Sequence, residues 1–290
     1  VRRRLSSLAG AAAGARSVGL LVLVSGVGLA GLCWPFFVSA HSATSTAHAG
    51  DAPWVLLAMV PLLLALCASE LARGQLDARA IAVLGILAAC GTALRIPSPG
   101  VAGLEPVFFL LVLAGRVYGP SFGFALGGLT LFISGLVTGG VGPWLPFQML
   151  AAGWVGAGVA LVPPVRGAVE RWLLAGYAAI ACILYGAVMN LWFWPFGAGT
   201  TTTVSYVPGA GLGVNLVHFI VFDVTTSLGF DVPRAVLNAV LIIAVGGPIL
   251  AALRRSARRT VHLESWEVAP GPGPVPLSSG TPRSDLEGPA

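Results

Sequence analysis

The sequence predicts an all-α fold, a polytopic integral membrane helical bundle, and three observations predict it. Of 290 residues, 56% are hydrophobic and only 9% charged, where a soluble domain carries roughly 25% charged residues. Uncharged runs of about 20 residues recur along the chain, the length that crosses a hydrocarbon core of roughly 30 Å. All 16 basic residues are arginine, and nearly all fall between alternate runs. Mean hydropathy is +0.88. A β-barrel would show short segments of alternating hydrophobicity instead.

The runs predict helices near 18–39, 53–69, 80–94, 104–115, 120–138, 144–163, 172–194 and 232–252. Arg2, Arg3, Arg4 and Arg16 precede the first, and Arg73 and Arg79 lie between the second and third. Arg116 separates the fourth from the fifth, Arg166 and Arg171 the sixth from the seventh, and Arg254, Arg255, Arg258 and Arg259 follow the last. With eight spans and Arg283 in the tail, 14 arginines share one side and only Arg95 and Arg234 lie on the other. The positive-inside rule then predicts a multi-pass cell-membrane protein with both termini cytoplasmic. The net charge of +5 belongs to these helix flanks, so nucleic acid is not an expected partner. The absence of lysine fits an Ala-, Gly- and Arg-rich coding composition.

Residues 1–75 read as a two-helix extension. Its first run has a rival reading as a signal peptide, with Arg2–Arg4 before it and Val38-Ser39-Ala40 as a cleavage site. The uncharged run from Val18 to Ala40 is long for that role, which favours a retained helix. His41 and His48 in the 40–52 loop are a weak metal signal. Residues 76–255 read as a six-helix core, and 256–290, rich in Pro, Gly and Ser, as a disordered cytoplasmic tail. Cys33, Cys67, Cys90 and Cys182 all fall in apolar runs and form no C-x-x-C pair, so they read as small buried hydrophobes, with no metal site.

A polar side chain in lipid needs a partner or a cavity, and here such residues gather at the predicted outer ends of helices. Arg95 ends one helix and Glu105 begins the next, across a Pro- and Gly-rich loop; the two could pair with each other, and Glu105 also suits a helix N-terminus. In Gly142-Pro143-Trp144-Leu145-Pro146-Phe147-Gln148-Met149, the prolines fit a first helical turn. Trp144 and Gln148, four apart, would share a face as an aromatic wall with an amide, the makings of a small-molecule pocket. In Met189-Asn190-Leu191-Trp192-Phe193-Trp194, Asn190 and Trp194 share a face and Trp192 points elsewhere, as a lipid anchor. The segment 195–231 holds Asn215, His218, Asp223 and Asp231. Its apolar part, 212–228, reads as a re-entrant or interfacial helix, since a further span would put the basic C-terminal flank outside. Asp231, Arg234 and Asn238 would line one face of the last helix, with Asp231 alternatively its N-cap.

Small residues recur every fourth position on the third predicted span, as Ala78/Ala82 and Gly85/Ala89/Ala93, and Gly123, Gly127 and Gly128 make a small face on the fifth. Either stripe suits close helix approach, to a partner or within the bundle.

These pieces, with Leu104-Glu105-Pro106, Arg116-Val117-Tyr118-Gly119-Pro120 and Phe230-Asp231, resemble in order the substrate-binding S component of energy-coupling-factor vitamin transporters. The G-P-W-x-P-[FW]-Q-M and M-N-L-W-F-W elements look most like the cobalamin-type branch. The resemblance covers about residues 76–255. It implies a vitamin site at the outer face, with Arg95, Glu105, Trp144, Gln148, Asn190, Trp194, His218, Asp231 and Asn238 as candidate substrate-binding residues. It also implies a transmembrane T subunit and two cytoplasmic ATPases as partners, docked through Ala78/Ala82 or Gly85/Ala89. No cofactor and no catalytic residue are implied. The chain holds no Walker A segment, so ATP energy would come from another chain.

Two other function classes have weaker support. An intramembrane enzyme would rest on Ser134 and His218, which lack a G-x-S-x-G setting. A self-sufficient secondary transporter would need midplane ionisable residues and usually an internal repeat; the ionisable residues read as lying at helix ends.

Overall fold

The computed structural model describes residues 19, 22–33, 36–37, 78–97, 101–197 and 204–267. Among them the fold is helical, with no strand. Helix α1 is Val22–Cys33; α2, Ala78–Arg95; α3, Val107–Tyr118; α4, Pro120–Thr138; α5, Leu145–Gly158; α6, Ala168–Gly197; and α7, Gly211–Glu267. Short 3-10 turns cover Val101–Gly103 and Val159–Leu161. The predicted 53–69 helix, the 40–52 loop with His41 and His48, and the distal tail lie outside the described residues.

Helix α3 is the centre. Every residue from Val107 to Gly115 is buried, so this helix has no polar face to present. Its 12 residues rise only about 18 Å, less than a bilayer core, yet its flanks meet protein on all sides. Helices α4 and α5 close over it at a glycine crossing. A Cβ on Gly123 or Gly127 would overlap the backbone of α5, one on Gly156 the backbone of α4, and one on Gly115 the Gly156 carbonyl. The small face of the fifth predicted span is therefore used inside the bundle.

Helix α2 packs on α4 through Leu84, Ala88 and Gly91, the last against Thr130. Its other side, with Ala82, Gly85, Ala89 and Ala93, is exposed among the described residues, and nothing lies near Gly85. The Ala78 side chain lies outside the described set. Helix α1 is fixed by buried Val24 and Leu32 and by a Trp154 Nε1–H donated to Ser25 Oγ at 2.8 Å.

Three helices, α4, Ala168–Pro195 of α6 and Gly211–Arg258 of α7, are long and apolar enough to cross a membrane. Their outward faces carry apolar pairs at helical spacing, Ile180 with Leu184 on α6 and Val236 with Val240 on α7. Such stripes suit lipid, and they support a helical membrane protein.

The largest departure from expectation is α7. The segment 212–228 does not form a separate helix; it runs without a break through Asp231 and Pro233 into 232–252 and on to Glu267, 57 residues in all. Pro233 and Pro248 remove one backbone bond each but leave the helix continuous. At 1.5 Å per residue its contour is about 85 Å, well beyond the roughly 40–45 Å of a whole bilayer. One extended helix also meets the charge argument, because it keeps Arg254–Arg259 far from Gly211, so a single crossing would leave them on opposite sides. The helix passes the expected boundary at 255 because no Gly or Pro occurs from 249 to 269.

A candidate binding cavity on a buried ion network

Arg95 closes α2, with the backbone turning at Ile96 N–H to Thr92 O, 3.2 Å. The chain then returns through the Val101–Gly103 turn, where Ala102 (φ 51°) and Gly103 (φ 75°) are both left-handed. Gly103 lies directly against the Phe230 carbonyl of α7, and a side chain there would overlap it. This close approach carries Glu105 to the start of α3, facing α7.

Glu105 is the hub. Its Oε1 lies 3.2 Å from Arg95 Nη1 and its Oε2 accepts from Arg234 Nε at 2.9 Å. Arg234 Nη1 reaches Asp231 Oδ1 at 2.5 Å, and Ser227 Oγ–H donates to Asp231 Oδ2 at 2.5 Å. At the other end Arg95 Nε donates to Ser134 Oγ at 3.1 Å. The Arg234 guanidinium also lies 5.4 Å from the Tyr185 ring centroid, a cation–π distance. All four charged residues are buried, and two positive and two negative groups alternate, so the chain of ion pairs is neutral as a whole. Buried charges persist only when paired in this way.

Asn238 supports the hub from behind. Its side-chain NH₂ donates to the Glu105 carbonyl (2.8 Å) and the Arg234 carbonyl (2.9 Å), and its Oδ1 accepts the Phe109 N–H at 2.7 Å. Phe109 belongs to the first turn of α3, whose own cap position, Pro106, provides no side-chain bond. Asn238 thus caps α3 from another helix.

The network forms one wall of a cavity of about 540 Å³ between α6, α7 and the ends of α2 and α5. Apolar sides come from Met189, Phe193, Phe222 and Phe230, and polar groups from Gln148, Tyr185, Asn190, Thr226 and the ion network. Asn190 Nδ2 donates to Asp223 Oδ1 at 2.7 Å, leaving its carbonyl oxygen as an acceptor. The Gln148 amide has no side-chain bond among the described residues. Tyr185 is buried, with its hydroxyl beside the Arg95 side chain. Arg95 Nη1 sits at ion-pair distance from Glu105. The cavity is partly open and lined by more polar than apolar residues; its volume falls within the roughly 300–1,000 Å³ of small-molecule sites.

Of the expected site residues, Arg95, Glu105, Gln148, Asn190 and Asp231 line this cavity, and Asn238 lies behind it. Trp144 does not line it: its Nε1–H folds back onto the Gly140 carbonyl at 3.2 Å, and its ring meets Trp192 edge-on at 6.1 Å. Trp192 therefore packs on protein as well as facing outward. Trp194 is fully buried, donating to the Val204 carbonyl at 2.7 Å, among Phe36, Tyr206 and Phe219. His218 lies 2.8 Å from the Ser205 carbonyl, outside the cavity. It makes no contact with Ser134, which is engaged by Arg95. Trp194 and His218 instead hold the 204–210 segment onto α6 and α7, together with Asn215, which bonds both backbone groups of Val207.

Sequence reasoning missed Tyr185 and Gly186. Both lie in an apolar run of α6, and Gly186 is where the Asp231 carboxylate presses onto the α6 backbone; a Cβ there would overlap it. An isolated Tyr-Gly in a membrane run was the available signal.

Compared with known protein families, curated proteins and solved structures, the chain matches none of them.

Proposed function

We propose that this chain is a membrane-embedded substrate-binding subunit of the energy-coupling-factor S-component kind, taking up a vitamin-like small molecule. The observation that carries this reading is the cavity built on the Arg95–Glu105–Arg234–Asp231 network, with Gln148 of α5 and Tyr185 and Asn190 of α6 converging on it. Because the network is neutral overall, the site favours a polar ligand of small net charge, placed by amides and a guanidinium against phenylalanine walls. The resemblance to the cobalamin-type branch makes corrinoids the first ligands to test. A whole corrinoid exceeds 540 Å³ and would rest across the mouth with one polar edge inside; a vitamin of one or two rings would sit wholly within. In this reading the cavity opens to the outside of the cell membrane and both termini are cytoplasmic. A separate T subunit and two ATPases supply the energy, since the chain has no Walker A segment.

Calorimetry of the purified chain against cobalamin, cobinamide and smaller vitamins should find one tight ligand at one per chain. Tyr185→Phe and Asn190→Ala should each weaken it about tenfold, the worth of one buried hydrogen bond. No binding to any of these compounds would sink the proposal.

A second reading, a self-sufficient secondary transporter, gains one specific observation: Asp231 and Arg234 lie within α7 rather than at its end, buried and lining the cavity. Proton- or sodium-driven uptake by vesicles containing this chain alone would favour it over the first.

A further inference from the structure

A second concavity, of about 420 Å³, lies at the opposite end of α3, between the start of α6 and the 247–258 stretch of α7. Arg166, Arg171, Arg254, Arg255 and Arg258 line it over a floor that includes Leu250. The one acid in its lining, Glu170, is already shared by Arg116 Nε (2.8 Å) and Arg254 Nη2 (2.6 Å). Arg171 makes only a long 3.5 Å contact to the Ile243 carbonyl. Among the described residues no carboxylate pairs with Arg166, Arg171, Arg255 or Arg258. Ordinary helix-flank arginines spread into water; these come from two helices and a linker and converge on one cleft with their countercharge already engaged.

The cleft also sits at a boundary between apolar and polar surface. Trp172 follows Arg171 and is exposed, as are Val169 and Leu161. An exposed tryptophan beside arginines is the residue pattern of the lipid headgroup level. Arginine forks match phosphate oxygens, and basic pockets between membrane helices hold anionic headgroups. We infer that this cleft binds the phosphate of an anionic phospholipid headgroup, with the acyl chains lying along the apolar flanks of α6 and α7.

Native mass spectrometry of the full chain, delipidated in detergent and then offered phosphatidylglycerol, phosphatidylcholine or inorganic phosphate, tests this. Phosphatidylglycerol should remain bound under activation that strips phosphatidylcholine. Arg166→Gln, Arg255→Gln and Arg258→Gln should each lower its retention about fivefold, and the three together about a hundredfold. All three side chains are exposed, so the fold should survive; lysine at the same positions should restore most of the retention. Equal retention in the wild type and the triple glutamine variant overturns the site. Saturation by inorganic phosphate with no preference between the two lipids overturns the lipid as its source.

Discussion

A single buried amide shows how much one side chain holds in this fold. Asn238 joins three elements, bonding α3 at Phe109, the turn before it at Glu105 and its own helix at Arg234. Replacing it with leucine keeps the branched four-atom side chain, with somewhat more bulk, and removes all three bonds. Each buried group left unpaired costs about 1–3 kcal/mol, so Asn238→Leu should lower the thermal midpoint in detergent by many degrees and weaken ligand binding through Glu105. An unchanged midpoint would show that water replaces the amide. Much at this scale was legible in the sequence. The spacing of Asp231, Arg234 and Asn238 gave them a common face, and Arg95 with Glu105 stood out as charges beside apolar runs. Trp144 was misleading for a local reason. Helical spacing places it with Gln148, but it stands at the cap of α5, where its ring turns back over Gly142 instead. Tyr185 and Gly186 left only a faint mark, a Tyr-Gly pair in an apolar run, because their role exists only where α7 brings Asp231 against α6.

Between helices, backbones meet directly where α4 and α5 cross over α3. Gly123, Gly127 and Gly156 meet backbone on the opposite helix, and Gly115 of α3 meets Gly156. Gly156→Val should push α4 and α5 apart at a cost of about 3 kcal/mol or more, since overpacking there meets backbone and not a movable side chain. The check is size-exclusion monodispersity and thermal unfolding; a well-folded variant would mean the crossing slides. The pattern of helices was mostly readable from the uncharged runs, and the small residues marked the crossing. The continuity of α7 was not readable, because Asp223, Gly229 and Pro233 interrupt the hydropathy pattern without breaking the backbone. Tertiary packing of the buried face at Asn215, Phe222, Ser227 and Asp231 holds that stretch helical.

Over the whole molecule, polar anchoring sits at both ends of an apolar interior. At one end is the Glu105 network; at the other, Arg116 binds Glu170 and the carbonyls of Val162 (2.8 Å), Pro163 (2.7 Å) and Val165 (3.3 Å). Arg116 therefore clasps the α5–α6 connection to the base of α3. Arg116→Gln should free that connection, so trypsin should cut at Arg166 several times faster than in the wild type while the rest of the bundle stays resistant. Equal cleavage rates would show that Glu170 and Arg254 hold the connection unaided.

The shortness of α3 has an electrical consequence. The helix itself spans about 18 Å, against the roughly 30 Å of a bilayer hydrocarbon core, with Glu105 just before its first turn and Arg116 in its last. If α3 stands across the membrane, as the proposed function requires, water reaching both ends would drop the membrane voltage across a thinner insulating slab, and the local field would almost double. A charged ligand moving along this axis would then feel nearly the full 2.3 kcal/mol per 100 mV within about three helical turns.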